Sequence, residues 1–465
     1  MPPKSLVHFD ISERKVLLRL MDIMSVLFTL SVVGIIFEFD YFQIATYNWG
    51  WTLVLILYLN IFASIFELYD LQKASKFEIV LKNVVFTGSV TVLFFMLTPL
   101  FTPSLPQNRL QILFFFLSII GALLLWRYAY ITLISSPRFY KRVLLIGDEG
   151  DLDLMVPALQ KSDPNYVIVG YINISRKDKL QQYKDLFQFN TSKLPAIIKQ
   201  HQINEIVVAG SDANKNEASV ALLKQLNNLL IKGFPIKDYT QVYEEITHRV
   251  PVQHLGNDFY KYFLFSRNNH NKFYIFFHRV TDVFFGVLGL MACAVLIPFI
   301  YAGNLIGNRG RLFYTQTRVG KNAKFFKIIK FRTMPENSEL NGPQWSGKGD
   351  TRIRGFGKFM RRARLDEFPQ FYNVLKGEMS IIGPRPERPV FVEQLSKSIP
   401  FYKTRHIIKP GLTGWAQVKG DYGSSTSDSL EKLQYDLYYI KHRGLFLDLD
   451  ILLKTFSTVL FFRGQ

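Results

Sequence analysis

Asp366 and Glu367 are neighbours in the run Arg361-Arg362-Ala363-Arg364-Leu365-Asp366-Glu367-Phe368-Pro369-Gln370, and another arginine follows in Gly383-Pro384-Arg385-Pro386. Two adjacent carboxylates repel unless a cation lies between them. A hard divalent ion such as Mg²⁺ relieves that repulsion and also carries substrate phosphates. One carboxylate is then available as a nucleophile while the other holds the metal. Arginine's planar fork matches phosphate oxygens in pairs, and the two flanking prolines stiffen the turn that presents Arg385. Arg332 ends a strand-like run, Phe325-Phe326-Lys327-Ile328-Ile329-Lys330-Phe331-Arg332-Thr333-Met334, with basic residues set among apolar ones. Singly, these features read as a helix cap and surface salt bridges. Together they read as a site for a cation and a diphosphate beside a carboxylate nucleophile.

The acidic couple needs an element to hold it. Phe368, Phe371, Tyr372 and Leu375 recur at helical spacing and Gly377 supplies a stop. This predicts a helix with Asp366 at or beside its N-terminus and Pro369 tolerated in the first turn. Free N–H groups there stabilise a carboxylate and favour phosphate.

With 465 residues the chain has room for two or three domains. The formal charge of +19 fits nucleic acid, an anionic membrane surface or a phosphorylated substrate, and the apolar residues, 48% of the chain and arriving in blocks, favour the membrane. No zinc-finger spacing or aromatic RNA-binding signature accompanies the charge, and nucleic acid is not an expected partner. The lone Cys293 excludes an internal disulfide and reads as a small core or lipid-facing residue.

Four apolar blocks, Ile23–Phe37, Trp51–Phe66, Val84–Phe101 and Leu110–Trp126, fill the first quarter, each close to the ~20 residues that cross a bilayer core. Lys4, Arg14, Lys15 and Arg19 precede the first; Lys73, Lys76 and Lys82 separate the second and third; Arg127, Arg138, Lys141 and Arg142 follow the fourth. By the positive-inside rule both ends of a four-helix unit, residues 1–135, face the cytoplasm. Charged residues ahead of the first block, with no small-residue cleavage site after it, argue against a removable signal peptide.

A soluble α/β stretch, residues 140–247, comes next. Arg142–Gly147 reads as a buried parallel strand followed by a helix around Leu152–Gln160. Tyr166–Ile172, Glu205–Ala209 and Phe234–Tyr239 read as further strands, giving a doubly wound sheet. The first strand ends in Gly147-Asp148-Glu149-Gly150, without G-x-G-x-x-G spacing and with acid where a pyrophosphate must sit. A degenerate Rossmann-like (CoA-binding-like) domain is expected, a nucleotide-fold relic or a docking domain rather than a dinucleotide site.

A fifth apolar block, Val283–Ile300, begins the third domain, residues 270–465. His278, Arg279 and Asp282 crowd its start, Pro298 interrupts its end, and Asn308, Arg309, Arg311, Phe313 and Tyr314 follow. Proline removes a helix hydrogen bond. A fifth crossing would carry the basic C-terminal region outside the cell, so a re-entrant helix over 279–302, turning back near Pro298, is expected. Gly423–Ser427 reads as a mobile loop.

From His278 to Phe462 the chain resembles the bacterial polyprenyl-phosphate phosphoglycosyl transferases, the bacterial sugar transferase family. The pieces carrying the resemblance are Gln316-Thr317-Arg318-Val319-Gly320, Lys330–Met334, Leu365–Gln370, Asn373-Val374-Leu375-Lys376-Gly377-Glu378-Met379-Ser380, Gly383–Pro386, Lys409-Pro410-Gly411-Leu412-Thr413-Gly414-Trp415-Ala416-Gln417-Val418 and Leu447-Asp448-Leu449-Asp450-Ile451-Leu452. The front half is similar to large members of that family, which carry four membrane helices and a degenerate nucleotide fold. The resemblance implies a membrane protein, α plus α/β, with a mostly helical catalytic domain. It implies a ping-pong reaction at the cytoplasmic face of the bacterial inner membrane, initiating exopolysaccharide, capsule or O-antigen synthesis. Asp366 attacks the β-phosphate of a UDP-sugar and expels UMP, Glu367 holds Mg²⁺, and the phosphosugar passes to undecaprenyl phosphate. Lys330, Arg332, Arg364, Arg385 and Gln417 lie in or beside the matched segments as phosphate- and substrate-binding candidates, and Pro298 matches the re-entrant anchor. Lys419-Gly420-Asp421 stands where the family has Asn-Gly-Arg, and Arg364 where it has Ser or Asn, so the sugar is not carried across; self-association is left open.

Two other classes stand beside this reading. A membrane-bound NAD-dependent nucleotide-sugar dehydratase or epimerase needs an intact dinucleotide loop and a Tyr-x-x-x-Lys pair. Tyr372 and Lys376 have that spacing, but far beyond the broken Gly147 loop. A non-catalytic scaffold for polysaccharide assembly needs no acidic couple at all.

Overall fold

The computed structural model describes residues 11–39, 49–134, 140–162, 166–174, 186–190, 194–209, 217–254, 271–307, 310–335, 338, 342, 350, 352–353, 355–420 and 425–460. Lys4, Arg138, Asn308, Arg309, Asp421 and the Gly423-Ser424 half of the expected loop lie outside these residues. The chain divides into two compact units, Met1–Thr247 and His248–Gln465.

The first unit begins with four helices, α1 (Ile11–Phe37), α2 (Trp49–Ile65), α3 (Phe77–Leu97) and α4 (Leu110–Ala129). Each falls on an expected block. The third starts earlier than its apolar core and stops at Leu97, because Thr98 precedes Pro99 and a residue before proline disfavours helix. Leu18, Val26, Leu59, Val84, Ile119 and Leu123 fill the interior. Phe28, Ile35, Leu57, Leu93, Leu117 and Leu125 point outward although apolar, a surface that suits lipid rather than water. Inside, Arg127 donates to Asp22 at 2.5 Å with both side chains fully buried.

By length and composition, four helices could cross a membrane: Glu13–Phe37, Phe77–Leu97, Leu110–Leu133 and, in the second unit, Lys272–Gly307. They are not the four expected N-terminal blocks, because α2 has only 17 residues, about 25 Å of helix.

A parallel sheet follows, built from β1 (Lys141–Gly147), β2 (Tyr166–Asn173), β3 (Phe187–Gln188), β4 (Glu205–Val208) and β5 (Ile236–Asp238) in the order β3-β2-β1-β4-β5. Its central strand is wholly apolar from Val143 to Ile146, so both faces need cover. The helices α5 (Glu149–Ser162) and α8 (Tyr239–Thr247) pack on the face of Val143 and Leu145. The helices α6 (Leu194–His201) and α7 (Glu217–Ile231) pack on the face of Leu144 and Ile146. The edge strand β3 escaped the sequence reading because two residues carry no periodicity.

The second unit opens with α9 (Lys272–Gly307), 36 residues long. Here the sequence expectation is corrected. The helix is longer than 279–302 and runs unbroken through Pro298. Proline removes one hydrogen bond without having to end a helix whose other bonds persist. Then come the antiparallel hairpin β6 (Phe313–Val319) and β7 (Phe325–Phe331), α10 (Gly355–Arg362), a 3-10 turn at Leu365–Gln370 and α11 (Phe371–Lys376). The rest comprises β8 (Ser380–Ile382), α12 (Pro389–Ser398), a 3-10 turn at Tyr402–Ile407, β9 (Gly411–Thr413), α13 (Trp415–Lys419), α14 (Thr426–His442) and α15 (Leu445–Leu460). Ser425, expected in a mobile loop, instead caps α14: its hydroxyl accepts from the Asp428 N–H, and Asp428 accepts from the Ser425 N–H. The core gathers Ile328, Val374, Met379, Leu395, Trp415, Leu433 and Ile451.

Candidate active site

The expected helix after Asp366 exists but begins late. Leu365–Gln370 winds as a 3-10 turn, and α11 takes over at Phe371 and ends at Gly377, whose φ of +85° is the left-handed stop glycine supplies. Asp366 and Glu367 therefore sit in the entry turn. Arg364 precedes it with φ +54°, a conformation unfavourable for a residue bearing a β-carbon. Leu365 and Phe368, one on each side of the couple, pack with Cys293 and Ile300 of α9.

The elements around the turn are pinned to one another by buried and half-buried polar groups. Asn373 accepts from the Ile329 N–H and donates to the Lys327 carbonyl, tying α11 to β7. Arg279 donates to the Val374 and Leu375 carbonyls at 2.8 and 2.7 Å, satisfying the end of α11. Asp282 accepts from the Ser380 hydroxyl and the Ile381 N–H, both at 2.8 Å. Gly289 lets α9 approach closely, since a β-carbon there would stand 2.3 Å from the Phe371 ring.

The two carboxylates are treated differently. Glu367 Oε1 accepts from Lys330 at 2.9 Å and from Arg385 at 2.8 Å, and Oε2 lies 3.6 Å from Arg364. Burial alone would raise its pKa; Arg385, Lys330 and Arg364 outweigh that and hold it well below the usual carboxylate range. Asp366 is 7% exposed, and no described residue gives it a hydrogen bond or ion pair. Burial, then repulsion by Glu367, pushes it up to about 6, against the pull of Lys330, Arg361 and Arg385. One acid is clamped and ionised; its neighbour carries an uncommitted carboxylate.

Lys330, Arg364 and Arg385 thus converge on Glu367, with Asp366 next to it in the chain. Arg332 and Gln417 do not join them through any described hydrogen bond or ion pair. Arg332 is buried under Gly310 and donates to the Arg311 carbonyl at 2.7 Å. Gln417 donates to the Leu412 carbonyl. Arg361, on α10, also acts electrostatically on Asp366 and donates to Thr333 at 2.9 Å; its place in the arginine cluster just ahead of the acids is the sequence signal for it. Lys376 is ion-paired with Glu378 beside the half-exposed Tyr372. No third Asp, Glu, His or Cys completes a metal-binding group with the acidic couple among the described residues. Two adjacent hard oxygen donors nevertheless fit Mg²⁺, which commonly takes one or two carboxylates and fills its remaining positions with water and phosphate oxygens.

A family model described as bacterial sugar transferase matches residues 273–462. The chain is 41% identical over 233 residues to the UDP-N-acetylgalactosamine-undecaprenyl-phosphate N-acetylgalactosaminephosphotransferase of Aeromonas hydrophila, covering 49% of this chain and 52% of that protein. It is 38% identical over 193 residues to the UDP-glucose:undecaprenyl-phosphate glucose-1-phosphate transferase of Xanthomonas campestris pv. campestris, covering 41% and 40%. To the protein of the same name from Caulobacter vibrioides it is 35% identical over 187 residues, covering 39% of this chain and 69% of that one. The matched part thus spans about half the length of the first curated relatives.

Proposed function

The chain belongs to the bacterial sugar transferase family, and on that premise we propose that it moves a sugar 1-phosphate from a UDP-sugar to undecaprenyl phosphate and releases UMP. The observation that carries the mechanism is the division of labour between the acids. Glu367 is occupied by Lys330 and Arg385, while Asp366 is buried beside it with no described partner. An Asp366 carboxylate oxygen attacks the β-phosphorus, and the bond from that phosphorus to the bridging oxygen breaks. UMP leaves with the bridging oxygen and its electron pair. An oxygen of undecaprenyl phosphate then attacks the phosphorus of the acyl phosphate, and Asp366 departs as the free carboxylate. Lys330, Arg361 and Arg385 offset the charge of the diphosphate. Mg²⁺, held by Glu367 with Asp366 alongside, supplies further neutralisation of that charge when bound.

The acceptor is a membrane lipid, and α9 suits the site to it. One face of this helix is engaged by the second unit from Tyr274, which donates to Asp448, to Asn304, which donates to the Gly310 carbonyl. The other face exposes Phe276, Val283, Phe284, Leu288, Met291, Val295 and Phe299. The turn expected near Pro298 is not seen, since α9 runs unbroken through it; its attachment to one domain along its length supports instead a helix lying along a single leaflet. The positive-inside pattern supports a catalytic unit on the cytoplasmic face of the inner membrane. The parallel sheet of the first unit is read as a nucleotide fold without its phosphate loop.

The test is intact-mass analysis of the purified protein with Mg²⁺ and a panel of UDP-sugars. A phosphosugar adduct is expected on the wild type and none on Asp366→Asn, with UMP release in that variant down at least about a thousandfold. An adduct on Asp366→Asn, or full activity in it, would remove the nucleophile assignment. A dehydratase or epimerase would instead convert the UDP-sugar without releasing UMP.

A further inference from the structure

The side chain of Arg385 is 42% exposed, so packing does not fix where it points. Its hold on Glu367 depends on where its backbone stands. Pro384 and Pro386 have no N–H, which leaves carbonyls as the main handles by which the turn can be gripped. All four successive carbonyls are gripped, from three elements: β9, the Tyr402–Ile407 turn and, twice, β6. Pro384 O accepts from the Gly411 N–H at 2.9 Å, and Glu387 O from the Val319 N–H at 2.9 Å. Between them, Arg385 O accepts from Arg405 Nη2 at 3.1 Å and Pro386 O from Arg318 Nη1 at 3.0 Å. The two middle donors are arginine side chains with anchors of their own. Arg405, 5% exposed, is held by Asp436 at 2.6 Å and by the Tyr402 hydroxyl at 2.7 Å. Arg318 is held by the Gln316 side chain at 2.6 Å and lies 3.4 Å from Glu387.

We infer that Arg405 and Arg318 are positioning residues for the transfer reaction: by holding the carbonyls of Arg385 and Pro386 they fix the guanidinium of Arg385 on Glu367 and toward the diphosphate. Neither makes a described hydrogen bond or ion pair to Asp366 or Glu367; they act through Arg385. A lysine cannot replace either one, because a single ammonium does not reproduce the fork that reaches the anchor and the turn together. The inference rests on the proposed transfer reaction, and wild-type activity separates the two. If the wild type releases no UMP from UDP-glucose or UDP-N-acetylgalactosamine with undecaprenyl phosphate, the function fails and not merely the brace.

The experiment is a pair of double-mutant cycles on the full chain in bilayer discs, reading kcat, KM and Tm. Arg405→Lys and Arg318→Gln are each made in the wild type and in Arg385→Lys. Each single change should lower kcat/KM about tenfold or more, with Tm within a few degrees of the wild type. In the Arg385→Lys background the same changes should lower it less than twofold, since the group they aim is already gone. Equal fractional losses in both backgrounds would overturn the proposal, as would wild-type activity in both single variants. A collapse of Tm in both would also overturn it, by making the two arginines general parts of the core.

Discussion

Asp366 and Glu367 are chemically alike and one bond apart in sequence, yet their surroundings give them opposite tasks. The pKa of Asp366, pushed up to about 6 by burial and by Glu367, makes a pH prediction. As pH falls through 6, Asp366 takes a proton and loses its nucleophilic oxygen. At limiting Mg²⁺, whose charge would itself favour the ionised acid, the kcat/KM for UMP release should therefore drop about tenfold per unit below that point. Glu367, held far lower by Arg385, Lys330 and Arg364, stays ionised and adds no second limb there. An acid limb lying below pH 4 in a pH–rate profile would count against the burial-raised carboxylate. The pair itself was legible in the sequence; which acid would be clamped was not, because Lys330 and Arg385 reach Glu367 across 37 and 18 residues of chain.

At the scale of elements, the turn carrying the acids is fixed by how closely α9 and α11 approach. Gly286 and Gly289 make that approach possible: a β-carbon would stand 2.7 Å from Leu375 and 2.3 Å from the Phe371 ring. Gly289→Val should overpack the interface by about 1–3 kcal/mol, lowering Tm and activity together as the turn is pushed aside. Gly121→Ala in α4, with nothing within 4 Å of its new β-carbon, should be neutral or slightly stabilising by the same melting measurement. Periodicity located the long helices and most strands because a buried face leaves a repeating pattern. It missed the 3-10 entry turn and the two-residue β3, which are too short to repeat.

For the whole molecule, the decisive question is what α9 does at the bilayer. Its 36 residues make about 54 Å of helix, longer than the ~30 Å hydrocarbon core. Its polar inner face serves the second unit near both ends. Both ends should therefore lie on one side of the membrane. With Cys293 replaced by serine, single cysteines at Lys272 and Leu305 should react with an impermeant maleimide from the cytoplasmic side alone. Labelling of one from each side would mean a full crossing. The amino-acid sequence by itself determined the apolar blocks, the acidic couple, the stiff proline turn and the family, since these are local patterns of composition and spacing. Only the tertiary structure decided that Arg332 braces the Arg311 carbonyl, that Arg318 and Arg405 grip the Arg385 turn, and that α9 continues past Pro298. Such pairings join residues distant in the chain, and a one-dimensional pattern does not say which buried donor will meet which acceptor once the core has closed.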